Sequence, residues 1–261
     1  MGGLAMPLYK PAALLLRGGS LYAGNSSQVE QFFDRLIVVP TTARQTLYAN
    51  LITSLVAAGV WALLDVLIIC ATANQPTSFV NLISNNFMPA FNNAGALPTF
   101  TADQGWTGAA ATINLYSNFN PSTAGGNYAQ NSAMVSAWAL STAQVNFPLW
   151  TATNIEGWPK DSNSYMRGEA NSPTEQFVTV STDSSGFYLT NRTVSNAWTL
   201  SRNDTLVGSF TDASAALPNS AIAFGENQQL AAYAIGAALT GPQQTALYTI
   251  LQTYLHAVGA V

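Results

Sequence analysis

The first strong periodicity in the sequence lies between residues 42 and 59, where apolar side chains recur every three or four positions. This spacing is typical of an α-helix with one buried face. Thr42 followed by Gln45 forms a capping-box signature, and Gly59 stands where a glycine ends a helix. The sequence therefore predicts a helix of about four turns that ends near Gly59. Its apolar stripe consists of Leu47, Leu51, Ile52, Leu55 and Val56.

A second apolar run, residues 60–71, follows directly. The combined segment 51–73 is long enough to cross a bilayer as one helix and carries a single charge, Asp65. However, a glycine separates the two runs, and a carboxylate is costly in the middle of a bilayer. The core VLII is bounded by Asn74 and Pro76, as in a strand that is buried on both faces. We therefore predict a helix and then a buried strand, with no membrane span.

Residues 1–30 are predicted to form an extended arm, because prolines and glycines interrupt every regular period there. The arm still carries apolar side chains, among them Leu14–Leu16, which are unusual in a disordered tail. We expect such an arm to bind outside its own fold, against a neighbouring subunit or a particle shell. The next segment, 32–40 (FFDRLIVVP), has the composition of a strand.

After residue 76 the sequence changes to short apolar segments separated by polar turns, which favours an antiparallel sandwich or barrel. Segment 134–140 alternates large and small side chains. Segment 176–191 predicts a hairpin that turns at its Asp-Ser-Ser-Gly, and segment 197–210 predicts a second one that turns at Asn203-Asp204. Two further strand candidates are AIAFG and LAAYAIG.

The C-terminal residues 241–257 return to helical spacing. Thr240 and Gln243 form another capping box, with Pro242 in the first turn. The predicted divisions are an arm over 1–30, a helix-and-strand lead-in over 31–75, and a β-sandwich over 76–261 that includes this last helix.

Composition narrows the range of functions. Only 8% of the residues are charged, against about 25% in ordinary soluble domains, while 48% are hydrophobic. Such uncharged chains, rich in hydroxyl and amide groups, are common among secreted β-proteins and viral shells. The formal net charge is −4 and Lys and Arg do not cluster, which argues against binding to nucleic acid or to an anionic membrane surface. Cys70 is the single cysteine, so the sequence has no internal disulfide and no thiolate metal cluster.

A family resemblance rests on the order of four segments: 44–73, 100–139, 197–210 and 233–260. The third segment carries a strand–turn–strand pattern at Leu200, Arg202, Asn203, Asp204, Leu206 and Val207. Together the segments resemble the concanavalin-A-like and laminin-G-like jelly rolls of tailed-phage and prophage structural proteins, over residues 32–260. Asp204 departs from the pattern, because the family usually has glycine there. The resemblance implies a mainly β jelly-roll sandwich and a virion setting, but it says little about a ligand.

The sequence shows no catalytic motif. The only histidine, His256, lies beside the apolar stripe of the last helix, without a nucleophile elbow or an orienting acid. Glycosidases with this fold place paired carboxylates on one strand, whereas Glu156, Asp161 and Glu169 are irregularly spaced among prolines and glycines. We therefore predict that the protein is not an enzyme and uses no cofactor. Calcium stays an open question, because the possible ligands could converge only in the fold; they are Asp103, Asp183, Asp204 and Asp212.

Two polar segments, 117–133 and 151–175, contain the candidate contact residues, and both are interpreted as loops. An aromatic platform with amide neighbours suits stacking on sugar rings, yet Trp, Tyr and Arg are also enriched at protein interfaces. A loop that folds back on its own domain is the third alternative. The candidate residues are Trp158, Tyr165, Arg167, Asn127 and Tyr128.

The sequence-based hypothesis is a structural protein on the surface of a tailed-phage virion, as a capsid decoration, a head fibre or spike, or a tail component. Its expected partners are other virion proteins and further copies of itself, in an oligomer such as a trimer. The alternative is a carbohydrate-binding module that recognises a glycan on the host surface. Neither a nucleic acid nor a membrane span is part of either hypothesis.

Overall fold

The computed structural model describes residues 27–91, 98–108, 115–141, 147–179 and 185–261. Residues 1–26 of the predicted arm and Asp183 of the first predicted hairpin lie outside these ranges. The described chain is mainly β, with two antiparallel sheets and with helices towards its two ends.

The helices are α1 (Ser27–Arg35), α2 (Thr42–Ala57) and α3 (Gly241–Val258), and short 3₁₀ helices span Trp61–Leu63 and Gln75–Phe79. The strands are β1 (Leu64–Ile69), β2 (Ala90–Phe91), β3 (Thr99–Thr101), β4 (Gly105–Thr107), β5 (Leu115–Tyr116), β6 (Ala133–Ala139), β7 (Trp150–Ala152), β8 (Ile155–Trp158), β9 (Tyr165–Ala170), β10 (Gln176–Thr179), β11 (Gly186–Val194), β12 (Ala197–Arg202), β13 (Thr205–Phe210), β14 (Ala223–Phe224) and β15 (Gln229–Gly236).

Helix α1 occupies residues that the sequence assigned to the arm and to a strand. Val29 and Phe32 recur at helical spacing and are fully buried, so an apolar stripe anchors this short helix. The strand predicted over 32–40 is therefore wrong. The β-branched run Ile37–Val39 suggested it, but this run follows the helix and is exposed. The arm prediction is also wrong for residues 27–30, which are helical.

Helices α2 and α3 agree with the sequence prediction. Helix α2 ends just before Gly59, whose φ of +67° suits a glycine that terminates a helix. Its N-cap is Thr41 rather than Thr42, because the Thr41 hydroxyl accepts a hydrogen bond from the backbone N–H of Arg44. Helix α3 begins with the predicted Thr–Gln capping box.

The apolar run 60–71 forms a strand rather than a helix. After a 3₁₀ turn it becomes β1, whose residues are all buried, and β1 pairs antiparallel with β15. None of the helices in the described ranges is long and apolar enough to cross a membrane. The prediction of a helix followed by a buried strand is confirmed.

The strands form two antiparallel sheets. The larger sheet has eight strands, in the order β13-β12-β11-β6-β15-β4-β3, with β1 also paired with β15. The smaller sheet has seven, in the order β10-β9-β8-β7-β14-β5-β2. The hairpin predicted at 197–210 is β12–β13, where Asn203 and Asp204 have φ values of 47° and 62°. The hairpin predicted at 176–191 is wrong, because β10 pairs with β9 in the smaller sheet and β11 pairs with β6 and β12 in the larger one.

Two apolar clusters divide the molecule into three layers. One cluster joins the helices to the larger sheet, where Trp138 of β6 stacks on Tyr248 of α3 with ring centroids 5.6 Å apart. The other cluster fills the space between the two sheets and includes Trp150 and Tyr233. The described helices therefore cover only the larger sheet, and they leave the outward side of the smaller sheet without a helical layer. This architecture confirms the predicted jelly-roll sandwich.

Candidate functional site

The outward side of the smaller sheet is built by β8, β9 and β10. Along β8 and β9, buried residues alternate with partly exposed ones, so every second side chain points away from the core. Trp158 of β8 lies opposite Arg167 of β9, which in turn lies opposite Phe177 of β10. Tyr165 lies two residues before Arg167 and therefore shares their side of the sheet. We call this surface of β8–β10 the outer face.

Segment 151–175, which was predicted to be a loop, therefore contains β8, β9 and the end of β7, and its candidate contact residues lie on these strands. Its glycines suggested turns, but two of them serve close packing, Gly157 against its neighbour on β7 and Gly168 against the larger sheet. A Cβ atom at Gly157 would overlap the Trp150 indole, and one at Gly168 would lie 3.2 Å from Cγ2 of Thr190. The sequence alone does not distinguish a glycine needed for packing from one needed for a turn.

Arg167 lies in the middle of the outer face, and all three of its guanidinium nitrogens are engaged. Its Nε donates to Oδ2 of Asp161 at 2.8 Å, and its Nη2 donates to the same oxygen. Its Nη1 donates to Oε1 and Oε2 of Glu175, at 3.1 and 3.2 Å. The guanidinium also lies over the Trp158 ring, 5.5 Å from the ring centroid. Arg167 thus fixes the relative positions of these side chains.

Tyr165 and Phe177 form the exposed aromatic part of the outer face. Their ring centroids are 4.7 Å apart, with the planes tilted by 46°. Phe177 is 56% exposed, which is high for a large apolar side chain, whereas Tyr165 and Trp158 are only partly exposed. An apolar patch with a polar rim is a common feature of binding surfaces. Sequence analysis missed Phe177 because it placed this residue in a hairpin with β11.

A pair of glutamates also lies on the outer face, in the row next to that of Trp158, Arg167 and Phe177. Glu156 and Glu169 are directly opposite each other on β8 and β9, and such residues have Cβ atoms about 4.5–5.5 Å apart. A search for carboxylates along a single strand could not find them, because they lie on neighbouring strands. Burial, together with the charges of Glu156, Glu175 and Asp212, raises the pKa of Glu169 to about 7. Burial also raises the pKa of Glu156, although the Trp158 indole opposes this shift.

The surroundings of this pair are acidic. Glu175 and Glu226 both raise the pKa of Glu156 through their charges. Asp212 is less available, because it forms an ion pair of 2.9 Å with the fully buried Arg192. Across the described residues, no Lys or Arg lies within ion-pair distance of Glu156 or Glu169. The outer face is therefore locally electronegative.

The two remaining predicted contact residues, Asn127 and Tyr128, are not on β8–β10. Tyr128 is a core residue with 4% exposure, and its hydroxyl donates to Oδ1 of Asn171 at 2.8 Å. Asn127 is exposed, and its backbone N–H and that of Tyr128 donate to the Asp65 carboxylate at 2.7 and 2.8 Å. Asp65 thus anchors this loop to β1, and the structure separates the loop from the other candidate residues.

The candidate calcium ligands that the structure describes form ion pairs or hydrogen bonds within the fold. Asp103 pairs with Arg44 at 2.7 Å, Asp204 accepts from the Thr245 hydroxyl at 2.9 Å, and Asp212 pairs with Arg192. In the part of the chain that the structure describes, no group of three His, Cys, Asp or Glu residues is placed to hold a metal ion. His256 is exposed on α3, and burial raises the pKa of the Cys70 thiol.

Comparisons with known sequences do not assign the chain to a family. No protein-family model matches the chain. No curated protein matches it either.

Solved structures do share its fold. The binding domain of botulinum neurotoxin serotype D superposes with a TM-score of 0.51 at 14% identity, over 72% of this chain and 52% of that chain. A structure from work on the cell entry of botulinum neurotoxin type C, which is dependent upon interaction with two ganglioside molecules, gives a TM-score of 0.50 at 14% identity, over 72% of this chain and 52% of that chain. The binding domain of botulinum neurotoxin DC in complex with rat synaptotagmin II gives 0.50 at 13% identity, again over 72% and 52%. The chain therefore corresponds to about half the length of these structures, and at this identity the likeness concerns the fold alone.

Proposed function

We propose that this protein binds glycans through its outer face. The observation that carries the proposal is the placement of an exposed aromatic pair, Tyr165 and Phe177, on the same face of one sheet as the carboxylates of Glu156 and Glu169. A sugar ring can stack its C–H face on an aromatic ring, while its hydroxyl groups donate hydrogen bonds to carboxylate oxygens.

The outer face is held in place before any ligand arrives. Three paired strands fix the spacing of its side chains, and Arg167 ties Asp161 and Glu175 to the Trp158 ring. A rigid site loses less conformational entropy on binding than a loop does. This rigidity suits a ligand that makes few and weak contacts, as a short glycan does.

The fold is compatible with this proposal. A structure with a similar fold comes from work on the interaction of botulinum neurotoxin type C with two ganglioside molecules. The synaptotagmin complex of the DC domain shows that a protein ligand is also compatible with the architecture. The similar structures therefore do not locate the site, and we infer its position from the residues of this chain alone.

A glycan array probed with the full chain tests the proposal. We expect binding by the wild-type protein and about tenfold weaker binding, equal to about 1.4 kcal/mol, by the double variant Tyr165→Ala/Phe177→Ala. Ile37→Ala is the control, because Ile37 is 87% exposed and lies on the helical side of the molecule. Bound oligosaccharides should be recovered intact, since the proposal assigns no bond cleavage to this face. An array without binding, or a double variant that binds like wild type, would contradict the proposal.

We further propose that the glycan-binding sandwich is displayed on a tailed-phage virion, as the sequence resemblance implies. An exposed apolar run supports a contact with other virion proteins or with further copies of the chain: Ile37 and Val39 are 87% and 76% exposed. They adjoin a pocket of about 220 Å³ that is lined in part by Val38, Arg44 and Tyr48. Quantitative mass spectrometry of purified virions should find the chain in many copies per particle. Its absence from the particles would contradict this assignment.

A further inference from the structure

Building on the proposed function, we infer that the outer face selects uncharged glycans and rejects glycans that carry carboxylate or sulfate groups. The residues that set this selectivity are Glu156 and Glu169. The inference combines their position relative to the aromatic patch, the shortage of available cations around them, and the acidic groups that they face.

The glutamates lie within reach of a sugar that stacks on Phe177, the aromatic residue of the pair that lies nearer to them. Trp158, Arg167 and Phe177 form one row across the strands, and Glu156 and Glu169 form the row two residues away. Two residues of a strand span about 7 Å, so a sugar ring on Phe177 places its substituents beside the glutamate row. Neutral hydroxyl groups at that position donate hydrogen bonds to the carboxylates. An anionic substituent there is repelled by the negative charges of the glutamates. Because these carboxylates are partly buried, salt screens the repulsion only weakly.

The nearby cations do not compensate for these carboxylates. Arg167 is bound by Asp161 and Glu175 through all three of its nitrogens. Arg192 is fully buried and paired with Asp212, so it cannot reach a ligand on the surface. Lys160 lies four residues after Glu156, beyond the end of β8. With the ion-paired groups counted on both sides, carboxylates still outnumber cations around the glutamate row; the carboxylates are Glu156, Asp161, Glu169, Glu175, Asp212 and Glu226, and the cations are Lys160, Arg167 and Arg192.

The selectivity should depend on pH. The pair faces the carboxylates of Glu175, Asp212 and Glu226 and the guanidinium of Arg167. Burial and the neighbouring carboxylates raise the pKa values of both glutamates, that of Glu169 to about 7, whereas Arg167 lowers the pKa of Glu156. The pair is therefore fully charged only above neutral pH, and protonation at pH 5 removes part of the repulsion. Rejection of anionic glycans is expected to be strong at pH 8 and weak at pH 5.

Matched ligand pairs test the inference. Suitable pairs are lactose and 3′-sialyllactose, methyl-esterified and free oligogalacturonate, and dextran and dextran sulfate, each titrated against the full chain. At pH 8 we expect the neutral member of any bound pair to bind at least about tenfold more tightly than the acidic member. The ratio of the affinities for the neutral and the acidic member should fall to less than about threefold at pH 5. It should fall to the same level at pH 8 in the double variant Glu156→Gln/Glu169→Gln.

The control is Glu30→Gln, a change of the same charge on the exposed surface of α1, which should leave the ratio at its wild-type value. The inference is overturned if acidic members bind as tightly as neutral ones at pH 8, or if the double glutamine variant keeps the wild-type ratio. Either result would leave glycan binding itself intact. Failure of the chain to bind any member of any pair would overturn the proposed function, and the inference with it.

Discussion

Gly157 shows how a single residue shapes the candidate site. A Cβ atom at this position would overlap the Trp150 indole, which packs against the inner side of β8. The glycine therefore lets the indole of this β7 residue lie against β8, on the side opposite to Glu156 and Trp158.

We expect Gly157→Ala to destabilise the protein by about 1–3 kcal/mol, as overpacking of a tight core does. The measurement is urea unfolding followed by tryptophan fluorescence. Gly241→Ala is a matched control, because nothing lies within 4 Å of a Cβ atom at that position. Equal stability of Gly157→Ala and the control would show that the Trp150 side chain adjusts freely at this position.

Glu169 should make the stability of the protein depend on pH. Its pKa is about 7 in the folded protein, above the ordinary value of 4.5 in the unfolded chain. The folded state therefore holds more protons between these two values, so stability falls as the pH rises from 4.5 through 7.

The whole shift corresponds to about 3 kcal/mol, and solvent screening of this half-exposed group reduces the effect to about 1–2 kcal/mol. Glu169→Gln should remove this loss and be more stable than wild type at pH 8, but not at pH 4. Urea titrations at both pH values measure the effect. A variant that is less stable than wild type at pH 8 would show that the carboxylate is stabilising in its charged form.

At the scale of elements, local signals determined which predictions succeeded. Helices α2 and α3 each carry a cap, an apolar stripe and a terminal glycine within a short stretch of chain, so the sequence located both. Strand β12 and strand β13 are joined by a two-residue turn, and their pairing was predictable for the same reason. Strands β10 and β11 are also neighbours along the chain, but they belong to different sheets. Their partners depend on packing between distant segments, which the local sequence does not encode.

Helix α1 sets the limit of a tolerated N-terminal deletion. Its Val29 and Phe32 are fully buried in the cluster between the helices and the larger sheet. Removal of residues 1–26 should therefore leave cooperative unfolding within about 1 kcal/mol of wild type, because the buried stripe is kept. If the apolar arm anchors the chain to another subunit, the same deletion should reduce the oligomer mass in light scattering. Loss of cooperative unfolding would show instead that the arm belongs to the core.

At the scale of the whole molecule, the site exists because two strand pairings bring separate residues together. The sequence pointed to Trp158, Tyr165 and Arg167 by composition alone, and it assigned them to a loop. Phe177 and the Glu156–Glu169 pair joined them only through the register of β8, β9 and β10. The predicted site was thus partly correct in its residues, while its acidic half required knowledge of which strands are neighbours.

The location of a bound sugar is the most direct test of the central claim, that the outer face of the smaller sheet binds uncharged glycans. The measurement is a crystal structure of the full chain with the neutral oligosaccharide that binds most tightly in the array. We predict a sugar ring stacked on Phe177 and Tyr165, with at least one hydroxyl group within hydrogen-bond distance of Glu156 or Glu169. A sugar bound instead at the pocket beside Val38 and Arg44, or on any surface formed by the larger sheet and its helices, would contradict the account.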